Sequence, residues 1–324
     1  MFAIDDILKI GSEAEFESKA LQLFRFQAEH CGPYREYLSH LGIGGAGLDR
    51  IDCISKIPFL PIEVFKLRTV YCGAEPPEAV FTSSATTGMV PSRHPMAHLA
   101  DYEKCFTAAF AKFYGPPQQY AIFALLPSYL ERQGSSLVLM ADRLIAQCGA
   151  GGFYLDDYGK LIADMEASPK PKILLGVSYA LWDLAERYAP RLQNTTVMET
   201  GGMKGRREEL PKAELHRILC GGFGVERIHS EYGMAELTSQ AYSDGEGIFR
   251  TPPWMKVLLR DVNDPFEILP AGSRGGVDII DLANVWSCAF IQTQDMGRTF
   301  ADGSFTVEGR IDKSEIRGCN LLVQ

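Results

Sequence analysis

From residue 79 onward the chain alternates short apolar runs with amphipathic stretches, and that alternation limits the folds open to it more than any other feature. Tyr120 to Leu126 is an apolar run of strand length, and Ser135 to Ala146 reads as a helix. Lys172 to Val177 is a second strand, followed by a helix around Leu181, Trp182 and Leu184. Thr195 to Met198 is a third, followed by a helix from Glu208 to Leu219. Parallel strands need crossover connections, so repeated βα units imply an α/β fold with a mostly parallel sheet covered by helices on both faces.

The flanks have a different grain. Residues 12 to 40 read as helix, with Leu21, Leu23, Phe24 and Phe26 on an apolar face that Tyr34 and Tyr37 continue. Ile57-Pro58-Phe59-Leu60-Pro61 excludes a helix interior, because its prolines lack amide donors and clash with the preceding turn. After about residue 226 the texture turns β-rich. Lys256 to Leu259, Val277 to Leu282 and Ala289 to Thr293 read as strands, and Asp302-Gly303 is a hairpin turn before Phe305-Thr306-Val307.

Composition excludes several classes of function. A formal net charge of −9 argues against a nucleic-acid backbone or an anionic membrane as the main partner. Met1 to Lys9 carries Asp5 and Asp6 and does not read as a signal peptide. No apolar run reaches the roughly 18–20 residues of a membrane span. Eight scattered cysteines without a C-x-x-C pair suit reduced thiols in a cytoplasm. Six histidines include one H-x-x-x-H spacing, His94 and His98, but Pro95 within it excludes a helix interior, and it is not read as a transition-metal site.

Ligands of open α/β sheets gather where strands end in loops. Ala79, Val80 and Phe81 close a strand, and Thr82, Ser83, Ser84, Thr86 and Thr87 then surround Ala85 before Gly88. The helical pattern Tyr102, Phe106, Ala109, Phe110, Phe113 follows, so the expected order is strand, loop, helix. Such a loop is either a plain Ser/Thr-rich turn or a cradle of hydroxyls and amides for an anion. Glu199-Thr200-Gly201-Gly202-Met203-Lys204-Gly205-Arg206 lets backbone approach a flat ring or phosphate, or is a glycine turn with solvated bases. His229-Ser230-Glu231-Tyr232-Gly233-Met234-Ala235-Glu236 offers an aromatic face and a carboxylate for Mg²⁺, or a half-buried tyrosine with two surface acids. Thr293-Gln294-Asp295 ends a strand with a carboxylate able to accept from ribose hydroxyls, and Gly309-Arg310-Ile311-Asp312 follows the hairpin.

In this order the segments resemble the adenylate-forming enzymes, the superfamily of acyl-CoA synthetases and adenylation domains. Ser83-Ser84-Ala85-Thr86-Thr87-Gly88 resembles their S-S-G-T-T-G phosphate loop, and Tyr232-Gly233-Met234-Ala235-Glu236 their Y-G-x-T-E. Thr293-Gln294-Asp295 resembles T-G-D, and Gly309-Arg310-Ile311-Asp312 the hinge G-R-x-D. Within the superfamily the chain is most similar to the LuxE-like acyl-protein synthetases, and next to phenylacetate-CoA ligases. That likeness rests on Ile57 to Pro61 with Phe65-Lys66, Leu126-Pro127-Ser128-Tyr129 with Glu131-Arg132, Gly201 to Arg206, and Arg317-Gly318-Cys319-Asn320.

The resemblance implies the superfamily's N-terminal core without its usual separate C-terminal domain and catalytic lysine. It divides the chain into a helical segment (1–75), an α/β nucleotide-binding part (76–225) and a β-rich part completing the ATP site (226–324). It further implies ATP and Mg²⁺, with pyrophosphate released as a carboxylic acid, a fatty acid in this family, becomes an acyl adenylate. Ser83, Ser84, Thr86, Thr87 and Gly88 would orient the phosphates, with Thr86 and Glu236 in catalytic positions and Glu236 on the metal. Tyr232 and Gly202 would flank the adenine, Gly201, Met203, Lys204, Gly233 and Met234 would bind the nucleotide beside them, and Asp295 with Arg310 would grip the ribose. Cys319, beside Arg317, would accept the acyl group, and His94 would help place the carboxylate. An acyl-transferring or reductase protein would then be the partner.

Two substitutions depart from the pattern: Ala85 stands for a glycine and Ala235 for a hydroxyl residue. Tyr129, Phe153 and Tyr154 are candidates for the acyl pocket. Two other readings stay open, a CoA ligase and a nucleotide or acyl binder that performs no chemistry.

Overall fold

The structure is a computed structural model that describes residues 2–83, 90–127, 134–203 and 206–311. The chain folds as two compact units interleaved in sequence. One gathers the described residues of Met1–Glu78, His94–Ala97 and Thr251–Gln324, the other those of Ala79–Arg93 and His98–Arg250.

The second unit is built on a six-stranded sheet. Its spatial order is Gly151–Tyr154, Ala121–Leu125, Lys172–Val177, Thr195–Thr200, His229–Tyr232 and Ala241–Ser243. The first five strands run parallel and the last antiparallel. Every residue of Ala121–Leu125 and Lys172–Val177 is buried, as expected of central parallel strands packed on both faces. The helix Leu99–Tyr114 buries Tyr102, Phe106, Ala109 and Phe110 of the expected stripe together with Cys105, while Phe113 is half-buried. The helix Ser136–Cys148 begins where the Ser135 hydroxyl accepts from the Val138 amide, and ends at Gly149 in the left-handed region.

The other unit carries an antiparallel sheet. Phe305–Arg310, Phe290–Thr299, Arg274–Asp281, Met255–Arg260 and Ile268–Leu269 are neighbours in that order, and Leu60–Pro61 pairs parallel to Phe290–Thr299. Phe24 and Tyr34 pack their rings on Phe290, at 6.1 and 6.3 Å between centroids, so two helices cover the sheet. Gln27 is wholly buried. Its amide donates to the carbonyls of Asn284 and Val285 and accepts from the Ala289 amide, which ties the turn ahead of Phe290 to the helix Glu13–His30.

Four sequence expectations change. The helix expected over 12 to 40 is two, Glu13–His30 and Gly32–His40, because Pro33 has no amide to continue the first. A strand, Arg93–Met96, stands between the Ser/Thr loop and the helix Leu99–Tyr114. The helix expected from Glu208 starts at Lys212, just after Pro211. Thr293-Gln294-Asp295 lies inside the long strand Phe290–Thr299 rather than at its end.

Candidate functional site

In the α/β unit the candidate segments leave the carboxyl ends of strands. Thr195–Thr200 runs into Gly201, whose φ of +69° favours a residue without Cβ, and His229–Tyr232 runs into Gly233. Register pairs join these strands at Met198 with His229 and at Glu199 with Ser230. One residue further, the Thr200 hydroxyl donates to Glu231 Oε2.

Glu199 faces the other side of the same sheet. Ser178 donates to its Oε2 at 3.0 Å and Ser230 to its Oε1 at 2.6 Å. Lys212 forms an ion pair with Oε1, and His216, one helical turn on, lies 3.6 Å away. Burial alone would raise the pKa of this carboxyl, but Lys212, His216 and Ser230 together outweigh burial and hold it at about 2. Glu231 has the opposite balance. Burial pushes its pKa up to about 7; the Thr200 hydroxyl and Lys212 oppose the shift, and the Glu199 charge adds to it. Two carboxyls on adjoining strands are therefore driven apart in protonation.

Lys212 also lies over the Phe249 ring, 5.2 Å from its centroid, and Phe249 meets Tyr232 at 5.7 Å. Tyr232 and Met234 are half-buried, Gly201 and Gly233 exposed, and Gly202 half-buried. Met203 is buried, and its carbonyl accepts from the Arg206 amide at 2.9 Å. Glu236 is 4% exposed and Glu231 7%, so neither is a surface acid. Ser83 is half-buried, and its hydroxyl accepts from the Ser92 amide at 2.9 Å.

In the other unit Asp295 and Arg310 occupy facing register positions on neighbouring antiparallel strands, with Arg310 Nε 3.8 Å from Asp295 Oδ1. Their support is buried. Arg260 pairs with Asp278 and donates to the carbonyls of Val277 and Thr293 at 3.1 and 2.7 Å. The Thr293 hydroxyl donates to the Val277 carbonyl and accepts from the Asp295 amide, which fixes the backbone under Asp295. Burial pushes the Asp278 carboxyl up to about 7 against the pull of Arg260, and its Oδ2 has no hydrogen-bond partner among the described residues.

His94 is 1% exposed. Its Nε2 lies 3.0 Å from Asn284 Oδ1, and the Asn284 amide nitrogen donates to the Cys288 carbonyl. That orientation of Asn284 leaves only an acceptor facing the ring, so His94 carries its proton on Nε2. Phe65 meets the ring edge-on at 5.9 Å.

Ser84, Thr86, Thr87, Gly88, Lys204 and Cys319 lie outside the described residues, as does Tyr129. Of the other acyl-pocket candidates, Phe153 is half-buried and Tyr154 donates to Asp164 at 2.6 Å. The structure thus brings Asp295 to Arg310 in one unit. In the other it sets Gly201 and Gly233 at the ends of neighbouring strands. Sequence reasoning placed Thr200 and Glu231 in its segments without giving either a role in support, and did not single out Lys212, Arg260 or Asp278. The available signal was a charged residue within an apolar strand pattern, as at Glu199 and Asp278.

No protein-family model matches the chain, and neither does any curated protein. Solved structures do. ATP-bound MatB from Rhodopseudomonas palustris is similar with a TM-score of 0.55 at 19% identity, over 75% of this chain and 49% of its own. 2-Hydroxyisobutyryl-CoA ligase, in a postadenylation state in complex with 2-HIB-AMP, gives 0.66 at 14% identity, over 94% of this chain and 70% of its own. The luciferase-like enzyme of the nonluminescent Zophobas morio mealworm gives 0.50 at 17%, over 72% and 57%. The chain spans about half the length of the ATP-bound MatB chains that it matches. Likeness at this identity is a likeness of fold: the chain has the fold of the adenylate-forming enzymes.

Proposed function

We propose that the protein activates a carboxylic acid, of fatty-acid type, with ATP and passes the acyl group to a protein thiol. The observation that carries this reading is the fold shared with 2-hydroxyisobutyryl-CoA ligase in complex with 2-HIB-AMP, over 94% of this chain. The motif order in the sequence supports it. An oxygen of the carboxylate attacks the α-phosphorus of ATP in line, the bond to the β-phosphate oxygen breaks, and pyrophosphate leaves. Such transfers depend on positioning and charge neutralisation more than on covalent help.

Ser83, Ser84, Thr86, Thr87 and Gly88 orient the phosphates by hydroxyl and amide donors, with Lys204 supplying positive charge. Gly201, Gly202, Met203, Tyr232, Gly233 and Met234 border the adenine, and Asp295 with Arg310 takes the ribose hydroxyls. His94 places the substrate carboxylate. Glu236 offers the hard oxygen donor that Mg²⁺ prefers, and no group of three or more His, Cys, Asp or Glu side chains among the described residues could hold a metal ion. A donor set of one carboxylate fits a cation that takes its remaining ligands from phosphate and water. When bound, Mg²⁺ offsets the negative charge of the phosphates.

In the second step a thiolate attacks the acyl carbon and AMP departs with the bonding electrons. Cys319 is the proposed acceptor, and a partner reductase or acyltransferase the onward recipient. Incubation with ATP and labelled fatty acids tests this, followed by hydroxylamine treatment and peptide mapping. Label on Cys319 that is lost in Cys319→Ser, with acyl adenylate still formed, is the expected result; full labelling of the variant overturns the acceptor. A second reading, with CoA as acceptor, is favoured by the complex of 2-hydroxyisobutyryl-CoA ligase with both 2-HIB-AMP and CoA. In that case free CoA discharges the adenylate and no protein label survives.

A further inference from the structure

The carboxyl of Glu231 bonds Thr200, the residue before Gly201, and lies beside Gly233 at the carboxyl end of the parallel sheet. Register pairing between Thr195–Thr200 and His229–Tyr232 is present at Met198 and Glu199. The next pair in line, Thr200 and Glu231, is joined by side chains, with the hydroxyl donating to Oε2. The other oxygen, Oε1, occupies the space beside Gly233, where a Cβ would lie 2.5 Å from it. One buried side chain therefore holds the last residue before Gly201 and fills the empty face of Gly233.

We propose that Glu231 is a positioning residue, which sets the distance between the Gly201-Gly202 turn and the Tyr232-Gly233 turn and so tunes the slot for a planar base. This rests on the adenylation reading above. Glu231 reaches no substrate in this account; it acts through Thr200 and Gly233.

The lock works in the neutral form. Among the described residues, the charged and titratable groups whose field reaches this carboxyl are few. Glu199 lies on the adjoining strand and Lys212 on the following helix; Tyr102, Tyr114 and Tyr242 feel its charge from a helix and the next strand. The cation among them, Lys212, is held in an ion pair with Glu199, and Glu199 itself repels a second negative charge. An ionised Glu231 would keep the Thr200 hydroxyl donor but would gain no counter-ion, a costly state for a buried carboxylate. Raising the pH is therefore expected to loosen the turn at Gly233 before it touches the rest of the fold.

The test is the KM for ATP in carboxylate-dependent ATP–pyrophosphate exchange, measured from pH 6 to 8.5 on the full chain. The wild-type KM for ATP is expected to rise roughly tenfold across that range, with kcat changing far less. Glu231→Gln keeps the size and the acceptor for Thr200 but does not titrate, and its KM is expected to stay level with pH. Thr200→Val, which cuts the tie and keeps the shape, is expected to raise KM at every pH while leaving the slope. A Glu231→Gln profile that follows the wild-type slope overturns the proposal. Absence of exchange in the wild type with every acid would instead sink the adenylation reading. The lock is then read from thermal unfolding over the same pH range: a wild-type loss of stability on alkalinisation that Glu231→Gln lacks supports it, and identical profiles overturn it.

Discussion

Asp295 and Arg310 face each other across neighbouring antiparallel strands, with the guanidinium Nε 3.8 Å from the carboxylate Oδ1. The arginine side chain is 81% exposed and the aspartate 14%, so the pair is half in water. Ion pairs of this kind contribute little to stability, on the order of 0–1 kcal/mol. A large effect of changing either residue would therefore report on ligand binding.

Asp295→Ala is expected to raise the KM for ATP about 10–100-fold, the loss of one or two hydrogen bonds to a charged acceptor. The melting temperature should shift by no more than about 3 °C. Exchange kinetics and a thermal scan of the same sample check both. An unchanged KM would remove Asp295 from the nucleotide site.

Arg260 is the residue on which the Asp295 backbone depends. Arg260→Leu leaves Asp278 buried without its partner, and the expected cost is about 3–5 kcal/mol in urea unfolding. The double variant Arg260→Leu with Asp278→Leu should recover much of that, since an apolar pair carries no desolvation penalty. If the single variant is as stable as the wild type, the ion pair is not what holds this strand.

The buried carboxyls divide the pH dependence of stability between them. Glu199 is held near 2, below its usual 4.5, so its contribution is present above 4.5 and is lost as pH falls toward 2. At about 1.4 kcal/mol per pH unit that is roughly 3 kcal/mol. Glu231 and Asp278 titrate near 7, above their usual 4.5 and 3.8. Their contributions are full below those lower values and are lost as pH rises through 7. Stability should therefore peak at about pH 4 and fall from there to about pH 7. Urea midpoints across that range check it, and Asp278→Asn should remove part of the fall. A flat profile would contradict these assignments.

His94→Leu leaves Asn284 Oδ1 without the ring donor, and a loss of about 1–3 kcal/mol is expected. Because His94 is also proposed to place the carboxylate, the KM for the acid should rise at a temperature where the variant is fully folded. A stability loss with unchanged KM for the acid would reduce His94 to a packing role.

The parallel core was legible because strands buried on both faces are apolar throughout, as Ala121–Leu125 and Lys172–Val177 are. Arg93–Met96 was hidden by its own residues, Arg-His-Pro-Met, which carry neither alternation nor β-branching. The interleaving of the two units, with His94–Ala97 grouped apart from Arg93, leaves no local trace in composition. Loops at strand ends could be read from Gly201 and Tyr232-Gly233, since glycine and aromatic residues announce themselves. What supports those loops could not. Thr200 with Glu231, and Arg260 with Asp278, are 31 and 18 residues apart, and only the fold brings each pair together.

Carboxylate-dependent ATP–pyrophosphate exchange, run across acids of increasing chain length, tests adenylation most directly. Label from pyrophosphate should enter ATP only when a suitable acid is present, and Glu236→Gln should abolish it. Tight ATP binding with no exchange for any acid would contradict adenylation and leave a protein that binds nucleotide without acting on it.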